Sequence, residues 1–187
     1  MAQKIRCKGR IVRKARQSEQ ILDELKQKRP MEKTVEVEED AVKVVIFSLP
    51  GGLYAFKGDE IKEILPLIPV YYVPGCPDFI PGVINVRGDI ESVITINGFL
   101  GLPASKQSPA SRIAIAKCGG VRSGVIVDSV EDVVDVPVSL IKPPIATLGE
   151  AAREFVAAEL MYGRRSATLL DMAKIFGRFE ASAKGRG

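Results

Sequence analysis

Pro74-Gly75-Cys76-Pro77-Asp78-Phe79-Ile80-Pro81-Gly82-Val83-Ile84-Asn85-Val86-Arg87-Gly88 changes character midway. Its first half carries prolines at 74, 77 and 81. From Gly82 to Val86 the β-branched side chains take over, the pattern of a short strand bounded by glycines at 82 and 88.

The same alternation of short β-rich runs and Gly, Pro or Asn punctuation extends outward in both directions. Upstream it predicts strands over Val42 to Leu49, Leu53 to Phe56 and Val70 to Val73, the first two joined by Pro50-Gly51-Gly52, where glycine supplies the positive φ of a tight turn. Downstream it predicts Ser92 to Ile96, then Arg112 to Lys117 and Val121 to Val127 joined by Cys118-Gly119-Gly120, then Val133 to Val136, Phe155 to Met161 and Ala167 to Asp171. Gly163-Arg164-Arg165 turns the chain between the last two. The fold class is all-β. Hairpin-containing halves on either side of residue 105, linked by Lys106-Gln107-Ser108-Pro109, point to two small barrels sharing a core, which would dispose of many strand edges. Helix is expected only in short pieces, at Lys57 to Ile64, where Ile61 and Ile64 would share a face, and at Met172 to Phe176.

Before residue 40 the texture differs. Lys4, Arg6, Lys8, Arg10, Arg13, Lys14 and Arg16 precede the first acidic residue, Glu19, and Ile21, Leu22 and Leu25 recur at helical spacing behind a Ser18 N-cap. The expected organisation is a basic, partly helical N-terminal extension over residues 1–40, the β-domain over 41–180 and a disordered tail over 181–187. A chain of 187 residues with 46% hydrophobic and 27% charged side chains accommodates one core and an extension. No apolar run reaches the roughly 18 residues of a membrane helix, and the basic N-terminus lacks an apolar block behind it, so a cytoplasmic location is expected.

Composition removes most catalytic schemes. The chain has no histidine, hence no histidine-centred triad, histidine metal ligand or imidazole base. Cys7, Cys76 and Cys118 are scattered and odd in number, which suits incidental thiols and neither a disulfide framework nor a CxxC metal pair. No phosphate-cradling GxxxxGK[ST] or GxGxxG motif occurs. No enzyme, cofactor or metal is therefore expected. A nucleic-acid-binding barrel with a basic arm is the alternative; it is weakened by the absence of tryptophan and an aromatic content of 6%, since single-stranded nucleic acid is held largely by stacking.

The order of motifs resembles the CheW family of chemotaxis adaptors over about residues 42 to 178. Val45-Ile46-Phe47-Ser48-Leu49, Tyr54-Ala55-Phe56 and Ile61-Lys62-Glu63-Ile64 resemble its opening hairpin and "V-x-E-I" block. The stretch from Pro74 to Gly88 resembles "P-x-x-P-x-F-x-x-G-V-x-N-L-R-G", with Val86 for the usual Leu. Gly124-Val125-Ile126-Val127-Asp128-Ser129-Val130 resembles "G-x-x-V-D-x-V", and Leu169-Leu170-Asp171 the closing "L-L-D". The family's "P-V-I-D-L-R" run is Ser92-Val93-Ile94-Thr95-Ile96-Asn97 here, and Ala157-Ala158-Glu159 replaces Gly-Val-Gly.

The resemblance implies a pair of five-stranded, SH3-like β-barrels on a common core, and a two-component scaffold that does no chemistry. One surface would take the cytoplasmic tip of a methyl-accepting chemoreceptor, another the regulatory domain of a CheA-type histidine kinase; nucleic acid would not bind, and membranes would be met only through receptors. It also implies receptor-binding residues at Glu63, Ile61, Ile64, Val86 and Arg87. Arg87, following a strand that should be buried, would pair with Glu63, either as an ion pair at the receptor groove or as a strap between the barrels. Ile64 could equally be ordinary core. Gly82, Gly88 and Gly124 are expected where the chain bends or another backbone approaches, and Asp128, like Asp171, where a carboxylate bonds to turn amides.

Overall fold

A computed structural model of the chain describes residues 39–144 and 149–184. Eleven strands form in these residues wherever β-branched runs meet a turn signal: β1 (Ala41–Leu49), β2 (Gly52–Lys57), β3 (Ile61–Pro66), β4 (Gly82–Val86), β5 (Asp89–Ile94), β6 (Arg112–Cys118), β7 (Val121–Val127), β8 (Ser129–Pro137), β9 (Ile141–Lys142), β10 (Val156–Tyr162) and β11 (Arg165–Leu170). Two helices accompany them, α1 (Glu150–Arg153) and α2 (Met172–Lys184). The basic arm, the helix expected near residues 18–28 and Cys7 lie outside the described residues.

The strands divide into a six-stranded sheet, ordered β8-β1-β2-β11-β10-β9, and a five-stranded sheet, ordered β3-β6-β7-β5-β4. The two-barrel architecture is present, with the two-residue β9 as a sixth strand of the first sheet. The division does not fall near residue 105, however. The five-stranded sheet is one continuous segment, whereas the six-stranded sheet joins β1 and β2 to β8 through β11, with β2 and β11 running parallel. A parallel neighbour cannot come from a hairpin, so this pairing between distant segments is invisible to local turn signals.

Three apolar clusters follow from strand alternation. Val44 and Ile46 of β1, with Leu53, Ala55, Leu160 and Leu169, fill the six-stranded sheet. Ile84, Val86, Val93, Ile113, Ile115 and Ile126 fill the five-stranded sheet. The opposite faces meet in the third cluster, where Phe47, Leu49 and Phe56 pack with Ile94, Val125, Val127 and Leu170. Simple alternation along β1 sends Val44 and Ile46 to one cluster and Phe47 and Leu49 to the other, while the register shift against β8 skips Glu131. Strands buried on both faces read as continuous apolar runs, the texture of VVIF and GVIV. Each such side chain removed from water contributes about 1.5–3 kcal/mol before conformational entropy is counted.

The C-terminal helix seals the shared cluster. Asp171 accepts a hydrogen bond from the Lys174 amide through Oδ1 at 3.2 Å, and Met172, Ile175 and Phe176 are buried at helical spacing. Phe179 extends the stripe to Phe79, whose ring lies 5.0 Å from that of Phe99.

Several expectations are corrected. Lys57 to Ile64 is a turn followed by β3, not a helix. A register shift in the β3–β6 pairing lies between Ile61 and Glu63, so Ile61 and Ile64 face Ala116 and Ala114, two residues apart on β6. A bulge thus places residues three apart on one face, the spacing that imitates a helix. Val70 to Val73 forms no strand, only a bridge between Tyr71 and Val83, because Pro69 and Pro74 bracket it. Helix α2 continues through Lys184, so residues 181–184 belong to it and not to a tail.

A cleft between the sheets as candidate partner site

The turn between β2 and β3 lies against β1. Gly58 donates its amide to the Lys43 carbonyl at 2.7 Å, and a Cβ on Gly58 would sit 2.7 Å from Lys43 Cγ, so a larger residue there would have to displace the Lys43 side chain. Strand β3 is thereby set beside β1 and β8, leaving a cleft of about 250 Å3 between the sheets. Lys43, Val45 and Val133 line it from the six-stranded sheet, Ile61, Glu63 and Ile64 from β3. Sequence reasoning singled out these three β3 residues but missed Lys43, Val133 and Gly58. The first two carry no motif, and the lone glycine marks only a turn.

Glu63 Oε1 accepts a hydrogen bond from Arg87 Nη2 at 2.5 Å. β3 and the β4 end that carries Arg87 are opposite edges of the five-stranded sheet, so the pair clasps the seam of one barrel and is not a strap between two. The strand that Arg87 follows is largely buried, but the Arg87 side chain itself is 81% exposed against 23% for Glu63. Arg87 has φ 54 and Gly88 φ 100, a two-residue turn of the primed type between the paired Val86 and Asp89. Asn85 Oδ1 receives the Gly88 amide at 2.8 Å. Among the described residues Arg87 alone, glycines apart, has positive φ, a conformation costing an L-residue of order 1–2 kcal/mol.

Val86 is not at this surface. It is 5% exposed and packs inside the five-stranded sheet with Ile84 and Val93. Strand alternation sends Val86 inward and Arg87 outward, and their adjacency in sequence hides that they serve opposite sides. Ile61 packs at the margin of the shared cluster, while Ile64 is half-buried on the cleft wall.

The turn residues take distinct roles. A Cβ on Gly82 would lie 2.1 Å from the Tyr71 carbonyl oxygen, and one on Gly124 2.7 Å from Ile113 Cγ2; Gly88 has open space and serves only its φ. Asp128 donates its amide to the Ser48 carbonyl, but its Oδ1 is buried without a partner, so the expected carboxylate-to-amide bonding is not formed there. Burial pushes the Cys118 thiol up, and the negative charges of Glu60, Asp171 and Asp59 add to it, which disfavours the thiolate. Among the described residues no group of three or more Cys, Asp or Glu side chains converges as a metal site, and no helix is long and apolar enough to cross a membrane.

The CheW-like domain model matches residues 43–180, spanning both sheets, the cleft and most of α2. This chain belongs to the CheW-like family. The CheW-like chain is 26% identical over 124 residues to a probable chemotaxis protein CheW from Rhizobium etli, covering 66% of this chain and 80% of that protein. With the chemotaxis protein CheW of Bacillus subtilis it shares 34% identity over 94 residues, 50% of this chain and 60% of that one. Its fold resembles the crystal structure of the scaffolding protein TtCheW from Thermoanaerobacter tengcongensis, with a TM-score of 0.63 and 29% identity over 71% of this chain and 90% of that chain. The CheW-like chain is thus related to chemotaxis scaffold adaptors.

Proposed function

We propose that this chain is a non-enzymatic cytoplasmic adaptor that couples methyl-accepting chemoreceptors to the regulatory domain of a CheA-type histidine kinase. The receptor tip lies across the cleft, with Ile61 and Ile64 giving apolar contact and Glu63 and Arg87 the polar rim. The observation that carries this reading is the clasp at the cleft edge: an arginine held at positive φ while its guanidinium stands in solvent beside Glu63. The primed turn sets that φ, and it presents the guanidinium outward beside Glu63, where a partner can reach both charges. An apolar wall of two isoleucines next to a fixed charge pair suits a helical partner that lays one side-chain stripe into a groove. Membranes enter only through the receptors, and no metal or cofactor is needed.

The test is a titration of the full chain against the isolated regulatory domain of its own cell's CheA-like kinase, with and without a receptor cytoplasmic fragment. Saturable binding, tightened by the receptor fragment, is the expected result. No binding to either protein at tens of micromolar would overturn the proposal.

A further inference from the structure

A second cavity, of about 330 Å3, opens elsewhere on the domain, under the connection that follows β5. Pro81, Leu102, Ala104 and Ile126 give it apolar walls, Thr95, Asn97 and Ser105 supply polar groups, and the exposed Gln107 adds a carboxamide. Its volume falls at the lower end of the range for small-molecule sites, about 300–1,000 Å3. It sits on the Ser92 to Asn97 run, where this sequence departs from the family pattern, and shares no lining residue with the cleft beside Glu63.

Asn97 decides what the cavity can take. The residue is 5% exposed, and its Nδ2 donates to the Pro103 carbonyl and the Ser105 hydroxyl, both at 2.9 Å, so both amide hydrogens are used. Its Oδ1 receives no hydrogen bond from any described residue, leaving a strong acceptor on a buried side chain at the cavity wall. The Thr95 hydroxyl is directed at the Phe79 carbonyl at 3.5 Å and likewise offers its lone pairs. Among the described residues no ionisable side chain lines the cavity. Uncharged polar groups set in apolar walls favour a neutral, mostly apolar molecule, and the open Asn97 Oδ1 favours one that carries a hydrogen-bond donor.

We infer that this cavity is a binding site for a small neutral molecule with an apolar body and a single donor, recognised by Asn97 Oδ1 and Thr95 Oγ1. The inference goes beyond the adaptor reading and stands or falls independently of it.

Phenol serves as the probe, with anisole as its donor-less counterpart and benzoate as the charged one, each titrated into the full 15N-labelled chain. Phenol should give saturable amide shifts confined to residues around 79–82, 95–107 and 126. Anisole should bind at least about tenfold more weakly, as loss of a hydrogen bond to a buried acceptor requires, and benzoate should not bind there. Ala104→Phe, at an exposed lining position, fills the cavity and should abolish the phenol shifts. Thr95→Val, which keeps the shape, should narrow the difference between phenol and anisole. The inference is overturned if phenol gives no saturable shift, if its shifts scatter over the surface or survive Ala104→Phe in a folded protein, or if anisole binds as tightly as phenol.

Discussion

Arg87 occupies a left-handed turn position, directs its guanidinium to Glu63 and yet leaves most of its side chain in water. An exposed pair of this kind is worth about 0–1 kcal/mol, so its value to stability is small. Arg87→Glu should therefore shift stability by no more than about 1 kcal/mol in urea unfolding. On the adaptor reading it should weaken receptor binding while kinase binding persists. Equal loss of both, together with a large stability drop, would show that the clasp serves the fold. A different residue carries the pH dependence. Burial raises the Glu60 carboxyl above its ordinary value of 4.5, with further upward push from Asp59 and Asp171 against the lowering effect of Lys57, and its Oε2 is buried without a partner. A carboxyl raised in the folded state binds its proton more tightly there than in the unfolded chain. Its contribution is present below the unfolded value and is lost as pH rises through the raised one. Glu60→Gln should accordingly raise stability near pH 7, and its advantage should vanish below about pH 4.5, as thermal melts across that range would show. The pairing of Glu63 with Arg87 was legible through motif resemblance. Their exposure was not, because which face of a strand meets water depends on neighbours far along the chain.

At the scale of elements, alternation and turn residues located β4 and β7 to the residue and most other strands to within a few residues. The failure at β3 has a long-range cause. A bulge in β3 set two isoleucines three apart on one face, and the local pattern then imitated a helix; the pairing with β6 that makes the bulge belongs to a segment about 50 residues away. The close approach at Gly124 is likewise a property of a pair of strands. A methyl added there would meet Ile113 Cγ2 at 2.7 Å on the neighbouring β6. Gly124→Ala should cost about 1–3 kcal/mol in urea unfolding, the usual range for overpacking, and Ile113→Val in the same chain should recover part of it. An unchanged midpoint would mean that the β6–β7 pair relaxes more easily than close packing allows.

For the whole described domain, the shared cluster is the decisive feature. Phe47 and Phe56 come from one sheet, Ile94 and Val127 from the other, and Met172 and Phe176 from the helix that closes over them. Neither sheet retains its buried face if the other unfolds. Amides in β2 and β11 should therefore show the same limiting hydrogen-exchange free energy as those in β6 and β7. Two separate plateaus would indicate barrels that unfold independently. Legible in the chain were the all-β class, the β1–β2, β6–β7 and β10–β11 connections, the lack of histidine and the family to which the motifs belong. These rest on side-chain type and on contacts only a few residues apart. Only the tertiary structure decided which strands share a sheet, that the Glu63–Arg87 pair closes a seam within one barrel, that Val86 is core and that a cleft and a second cavity exist. Each depends on surfaces assembled from distant segments, and the physical reason is that long-range pairing is selected by the joint burial of both faces of a strand, which no local window contains.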